Sequence, residues 1–461
     1  MAAEARERER LEAAVLAPIR QPSRLYDLGL VLLGLITLWG VYAWSVQLRQ
    51  GLVVTGMRDQ VPWGLYVGNL VFFIGISYGG TLVSAVLRVT KAEWRRPITR
   101  IAEAISVAAL VVGGVQIVFD LGHPERFLNL FLHGRLQSPL IWDVVAISMY
   151  FVACVIYFAL PLLPDVALLR DRLAGEVPAW QRWLYTFLAA QWTGTPEQRE
   201  RLARAMNILA VLIIPLAVSV HTVLAWVFSM TLRPGWNSTA FGPYFVAGAV
   251  FSGIAAVVLA MGFFRRLFHL EEYLTAKHFR YVGYLLLTLN IVYIYFTFGE
   301  YLTMLYKLAG EEKELLQALF TGRDSPLFWS FVFGGLIMPA LLVALPWTRT
   351  ILGIQVASAL VLAGMWLKRF LIVVPSLQVP LMPLEFGRYV PTWVEWSIML
   401  GSVSAFLLLY GIIGRLFPLI SIWEMVGEQE TAPAEAAVQA RRLMFPQPAF
   451  EGPRAVASGE E

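Results

Sequence analysis

Ten apolar runs recur along this chain, each long enough to cross a hydrocarbon core of about 30 Å. They lie near residues 27–48, 63–89, 98–119, 140–164, 205–229, 242–268, 281–306, 327–347, 350–374 and 392–416. Only Pro346, Trp347, Thr348 and Arg349 separate the eighth run from the ninth. Composition agrees with a bilayer as solvent: 58% of residues are hydrophobic and 15% charged, against about 25% charged in soluble domains. A water-soluble fold could not hide that much apolar surface. The expected fold is therefore all-α and integral to a membrane, with about ten transmembrane helices. The lipid bilayer is its first partner, and the net charge of +4 reads through loop asymmetry rather than through nucleic-acid binding.

Orientation follows from Lys and Arg. Twenty-five of them fall in the N-terminal segment, in the loops after the even-numbered runs and in the C-terminal segment, and 11 fall on the opposite side. The positive-inside rule then puts both termini in the cytoplasm and the loops after odd-numbered runs outside, as expected for a bacterial or archaeal cytoplasmic membrane. The first 26 residues are charged and contain no apolar signal core, so the first run is expected to stay as an anchor. Three segments are expected: a charged N-terminal segment 1–26, a membrane domain 27–418 and a cytoplasmic tail 419–461. Residues 1–20 alternate Glu and Arg with Leu and Ala, which fits either a charged helix on the cytoplasmic face or a solvated tail. The stretch 427–461, rich in Ala, Glu, Pro and Gln, has the composition of a segment without a fixed fold.

The second run opens Trp63-Gly64-Leu65-Tyr66 and the sixth opens Phe241-Gly242-Pro243-Tyr244. Both run outside to inside. The echo suggests two parallel four-helix bundles, from runs 2–5 and 6–9, with the first and tenth runs peripheral. Glycines at close helix contacts account for the pattern equally well.

Ionisable side chains inside a membrane are costly and need a partner or a task. Several gather at the outward ends. Asp120, His123, Glu125 and Arg126 follow the third run, and Ser138, Trp142 and Asp143 open the fourth. His221 lies about two turns inside the fifth, and Trp236 lies in the loop that follows it. Glu300 is near the outer end of the seventh run, with Lys368 and Arg369 near that of the ninth. Each has a structural alternative. Asp143 suits a helix dipole, Asp120 is a natural partner for Arg126, His221 can be a hydrogen-bonded core histidine, tryptophans favour interfaces, and long cations snorkel. The convergence of carboxylates, imidazoles and aromatics at one depth instead suits a lipophilic ring entering from the bilayer. Quinol oxidation needs a base and hydrogen-bond partners at two ring oxygens, which a histidine and a buried carboxylate supply. A haem would need a pair of axial ligands, yet only His221 lies well inside a run. The single cysteine, Cys154, cannot hold an iron–sulfur cluster. Neither group is expected in this chain, so electrons would have to leave through another subunit.

Several strings are recognisable: VTGMRDQVPWGLYVGNLVFFIGIS, FDLGHPERF, QSPLIWDV, HTVLAWVFSMTLRPGWNSTAFGPYFVAG, GMWLKRFLIVVPSL and PTWVEW. They resemble the NrfD/PsrC family, the membrane subunits of polysulfide reductase-like complexes. The ten-helix members match best: the ActC and ActF subunits of alternative complex III, with DsrP and HmeB. The resemblance spans about residues 25–425. It implies a quinone or quinol, such as menaquinone, bound near the outer face, and an extracytoplasmic iron–sulfur subunit that exchanges electrons with it. In alternative complex III, further membrane subunits and multihaem cytochromes c continue the chain. It also implies quinone-site roles for His123 and Asp143, and by extension Asp120 and Arg369. Alternative complex III subunits often carry an acid near the position of Val227, which the AWVF string here lacks, and this departure weakens the subgroup match. Coupling to proton movement would draw on Glu103, His221 and Glu300. The competing expectation is a secondary transporter or proton channel without a redox step, since parallel repeats also build transporters.

Overall fold

The structure is a computed structural model that describes residues 2–20, 23–173, 175–308, 310–382 and 385–425, with N-terminal side chains from Glu9 onward. The expected tail beyond Met425 lies outside the described residues.

Among the described residues, ten helices are long and apolar enough to cross a membrane. They are α1 Arg24–Gln50, α2 Leu65–Val89, α3 Arg96–Asp120, α4 Pro139–Arg172 and α5 Pro196–Ser229. The second half comprises α6 Phe241–Leu267, α7 Ala276–Lys307, α8 Ser325–Ala344, α9 Ile351–Gln378 and α10 Trp393–Leu416. The chain is thus an all-α integral membrane protein, as its ten apolar runs require. The eighth and ninth runs are separate helices, joined by a turn in which Thr348 Oγ1 donates to Leu342 O at 2.9 Å. Two helices outgrow their runs by about two turns or more. α4 continues past Pro161 and Pro164 to Arg172, and α5 starts at Pro196. Hydropathy marks only the lipid-facing core of a helix, and these extensions are charged.

The helices pack as α2–α5 and α6–α9, with α1 and α10 paired at the side. α2 and α6 are the axis of the molecule, 83% and 78% buried in their apolar windows, whereas α1 is 11% buried. Glycine permits the central contact. A Cβ at Gly79 would meet Gly253 Cα at 2.5 Å and Ala249 O at 2.6 Å, so the two backbones touch, as small residues allow in membrane bundles. α1 meets α10 in the same way: a Cβ at Gly40 would lie 2.8 Å from Gly401 Cα. Tyr26 Oη also donates to Gly411 O at 2.6 Å.

On the arginine-rich face the N-terminal helix Ala2–Arg20 buries Leu11, Val15, Leu16 and Ile19. Residues 418–425 fold back into the bundle there. Glu424 accepts from Arg88, from Arg95 at 2.8 Å and from Thr99 at 3.1 Å. Beside it Arg100 pairs with Asp165 at 2.9 Å and donates to Ser421 Oγ at 3.1 Å. Both carboxylates are buried, and these charges tie α2, α3 and α4 to the segment after α10.

Candidate functional site

Asp143 sits in the second turn of α4 and is 6% exposed. Tyr150 follows it by seven residues, two turns along the same face of α4, and meets Tyr78 of α2. The Tyr78 ring packs edge-on against Tyr150 of α4, centroids 4.3 Å apart, and against His221 of α5 at 4.9 Å. His221 in turn lies 5.9 Å from Phe245 of α6, and the Arg369 guanidinium lies over that ring at 5.1 Å. Gly248 leaves room for that guanidinium, since a Cβ there would stand 2.8 Å from both Arg369 Nη2 and Tyr293 Cε2. Helices α2, α4, α5 and α9 therefore deliver one carboxylate, one imidazole, one guanidinium and two phenols to a single buried region, and α6 adds the Phe245 ring between His221 and Arg369.

Most of these groups are unsatisfied. Among the described residues, Asp143 Oδ1, the Tyr78 hydroxyl, both His221 nitrogens, Arg369 Nε and Nη2 and the Tyr293 hydroxyl are buried without a well-formed hydrogen bond. Each such orphan costs about 1–3 kcal/mol, and folded proteins keep few of them unless water or a ligand completes the set. The surroundings, including Phe228, Val220, Leu224 and Phe245, are apolar. A flat ring with polar atoms at opposite ends fits this chemistry.

The other residues singled out in the sequence separate into distinct places. His123 is exposed and shares a 2.8 Å hydrogen bond with Glu125. That bond and the backbone N–H of Glu125 hold the Glu125 carboxyl below its ordinary range, the backbone contact being the larger. Trp142 is at the surface, its Nε1 donating to Leu136 O at 2.5 Å. Ser138 is the N-cap of α4 but makes no side-chain cap bond. Trp236 is buried, donates to Ile372 O at 2.7 Å and stacks on Trp63, which gives it a packing role. Asp120, the last residue of α3, is half-buried with Oδ1 unpartnered. The three residues considered for proton movement do not form one file. Glu103 accepts from Ser84 Oγ at 2.7 Å, itself 3.4 Å from the Tyr157 hydroxyl. Glu300 pairs with Lys368 at 3.0 Å in the second bundle. His221 packs against the rings of Tyr78 and Phe245.

Sequence reasoning missed Tyr78, Tyr150 and Tyr293, because a tyrosine in an apolar run reads as packing. It also missed Glu395, which is fully buried. Glu395 accepts from Gly56 N at 2.6 Å, Thr392 N at 2.9 Å and Tyr389 Oη at 2.6 Å. Burial and the Glu395 charge push the Tyr389 phenol upward, so it stays protonated and donates. The signal was available, since Thr392 followed three residues later by Glu395 is a capping box.

Residues 53–380 match the family model described as polysulphide reductase, NrfD. The chain is 26% identical over 411 residues to the Hdr-like menaquinol oxidoreductase integral membrane subunit of Archaeoglobus fulgidus, covering 85% of this chain and 92% of that one. It is 24% identical over 412 residues to a selenate reductase subunit of Mesobacillus selenatarsenatis, covering 86% and 95%. A candidate dimethyl sulfoxide reductase membrane subunit of Halobacterium salinarum is 30% identical over 228 residues, with 49% of each chain covered, so the alignment spans about half of that relative's length.

Proposed function

The chain belongs to the NrfD polysulphide reductase family, and on that premise we propose that it is the quinone-reactive membrane subunit of a redox complex in a prokaryotic cytoplasmic membrane. Both termini face the cytoplasm in this reading. The buried cluster of Asp143, Tyr78, His221 and Arg369 receives the quinone ring, with menaquinone the ring type that the Archaeoglobus relative's name supports. The observation that carries the reading is the concentration of unpartnered polar atoms from helices of both bundles in one apolar region.

The chemistry follows from those atoms. Oxidation of a quinol releases two protons and two electrons. Asp143 accepts the proton of one ring hydroxyl, His221 accepts the proton of the opposite hydroxyl, Tyr78 donates a hydrogen bond to a ring oxygen, and Arg369 stabilises negative charge that builds on the ring. His123 and Glu125, exposed on the loop after α3, exchange protons with water, and Asp120, Ser138 and Trp142 line the approach. The electrons pass to an iron–sulfur partner docked over the outer face and on to cytochromes c or other membrane subunits. Quinone reduction uses the same groups in reverse. Glu103, with Ser84 and Tyr157, is the entry for protons from the cytoplasm, and Glu300 serves the second bundle. The names of these three relatives are those of reductases and an oxidoreductase, which supports a redox role over a transporter without redox chemistry.

Steady-state quinol oxidation by the purified complex tests this, with complex content measured in parallel. Asp143→Asn keeps the size of the side chain and removes the base, so turnover falls by about 10²–10⁴-fold where proton transfer limits the rate. Loss of a helix-dipole partner alone would cost about 0.3–1 kcal/mol of stability and leave turnover nearly intact, which would refute the assignment.

A further inference from the structure

Between α4 and α5 the chain forms a short helix, Ala179–Leu188, of sequence AWQRWLYTFL. Its side chains fall into three stripes. Gln181 and Tyr185 are buried, and Tyr185 packs in the small core that holds Leu16, Ile19 and Val166. Arg182 and Thr186 form an exposed polar stripe. Between these lie Trp180, Trp183 and Phe187, exposed to 58%, 67% and 68%. The rings of Trp183 and Phe187 stack at 5.6 Å with planes 9° apart. Spacings of three and four residues put all three rings on one side of the helix. Such a face of large aromatics is poorly suited to water.

The depth of the helix is fixed by its neighbours. Tyr185 Oη donates to Leu416 O at 2.8 Å, and Leu416 is the last residue of α10. One residue earlier, Arg415 pairs at 3.5 Å with Asp27 in the first turn of α1. α1 and α10 are 27 and 24 residues long, enough to cross a hydrocarbon core of about 30 Å and reach the headgroup regions on either side. Their shared end therefore marks the headgroup level on the arginine-rich face. On α5, the next helix in the chain, Ile208, Val211 and Leu212 are 54–58% exposed, a bilayer-facing apolar surface. The aromatic stripe lies at the headgroup level, where tryptophans concentrate in membrane proteins.

We infer that Ala179–Leu188 lies in the plane of the membrane at the headgroup–acyl boundary of the leaflet on the arginine-rich face. Trp180, Trp183 and Phe187 are inserted among phospholipids, and Arg182 and Thr186 face water. The occupant of this surface is phospholipid rather than a protein. This inference does not depend on the quinone reading. The helix sets the depth of the cytoplasmic end of the α4–α5 hairpin, in the way amphipathic interfacial helices anchor peripheral proteins.

Nitroxide labels on cysteines introduced one at a time at positions 182, 183, 186 and 187 test it. The full-length protein is used in phosphatidylcholine–phosphatidylglycerol vesicles, with the native, buried Cys154 checked on the parent protein. Collision with oxygen reports lipid and collision with a water-soluble nickel chelate reports water. The expected result is a higher oxygen-to-nickel accessibility ratio at 183 and 187 than at 182 and 186. A ratio at 183 and 187 as low as that at 182 and 186 would place the aromatic face in water and overturn the inference. Shielding of 183 and 187 from both probes would overturn it too, by showing a protein on that face. To control for perturbation by the label, Trp180→Phe and Trp183→Phe should each reduce fluorescence quenching by brominated lipid; unchanged quenching in both counts against insertion.

Discussion

Gly79→Ala tests whether the two bundles meet backbone to backbone. The added methyl would lie 2.5 Å from Gly253 Cα, 2.6 Å from Ala249 O and 2.8 Å from Gly253 N. All three are backbone atoms of α6, so no side chain can rotate away. Restoring ordinary contacts of about 3.5 Å requires α2 and α6 to part by about 1 Å along their crossing. Overpacking of this kind costs about 1–3 kcal/mol, and the gain in helix propensity from glycine to alanine returns no more than about 1 kcal/mol. The steric term prevails because the obstacle is backbone. The same displacement shifts Tyr78, the adjacent residue, relative to His221, so turnover should fall further than protein content does. Thermal unfolding in detergent, followed by size-exclusion chromatography, reads the stability change. Gly114→Ala on α3 is the control, since a Cβ there meets nothing within 4 Å; it should be neutral or stabilising. If Gly79→Ala unfolds at the same temperature as Gly114→Ala, the close crossing is wrong.

Three further outcomes follow from the buried charges and the loop asymmetry. Lys368→Met strands Glu300, whose side chain is 10% exposed, and should cost about 3–5 kcal/mol, whereas Lys368→Met with Glu300→Gln should recover most of that; a thermal double-mutant cycle decides, and additive losses would show that the ion pair is not coupled. Glu424→Ala leaves Arg88 and Arg95 facing each other without their shared carboxylate and should loosen residues 418–425, read as earlier proteolysis at that end. An export-dependent reporter fused after residue 440 should be silent, because 25 of the 36 Lys and Arg residues lie on the termini's side; activity would invert the topology.

Much of the architecture was legible because hydropathy and the bilayer impose the same length on every span. The ten runs, with the eighth and ninth parted only by Pro346–Arg349, follow from that constraint, whereas the backbone contact of Gly79 with Gly253 does not, because span length says nothing about which helix faces touch. The charged extensions of α4 and α5 escaped it, since nothing apolar marks them. Of the candidate site, Asp143, His221 and Arg369 stand in one buried region, while His123 and Trp142 are at the surface and Trp236 packs in the core. Spacing along a sequence gives depth in the membrane but not azimuth around a helix. Tyr78 and Tyr150 could not be told from packing residues until the rings facing Asp143 and His221 were placed in three dimensions.

The most direct test of the quinone reading is photolabelling of the purified complex with an azidoquinone, with the modified residues mapped by mass spectrometry and natural quinone as competitor. Competable label on the segments of α2, α4 and α5 that carry Tyr78, Asp143 to Tyr150 and His221 is the predicted result. Competable label confined to the second bundle around Lys368, or to the exposed loop at His123, with none on those segments, would contradict the assignment.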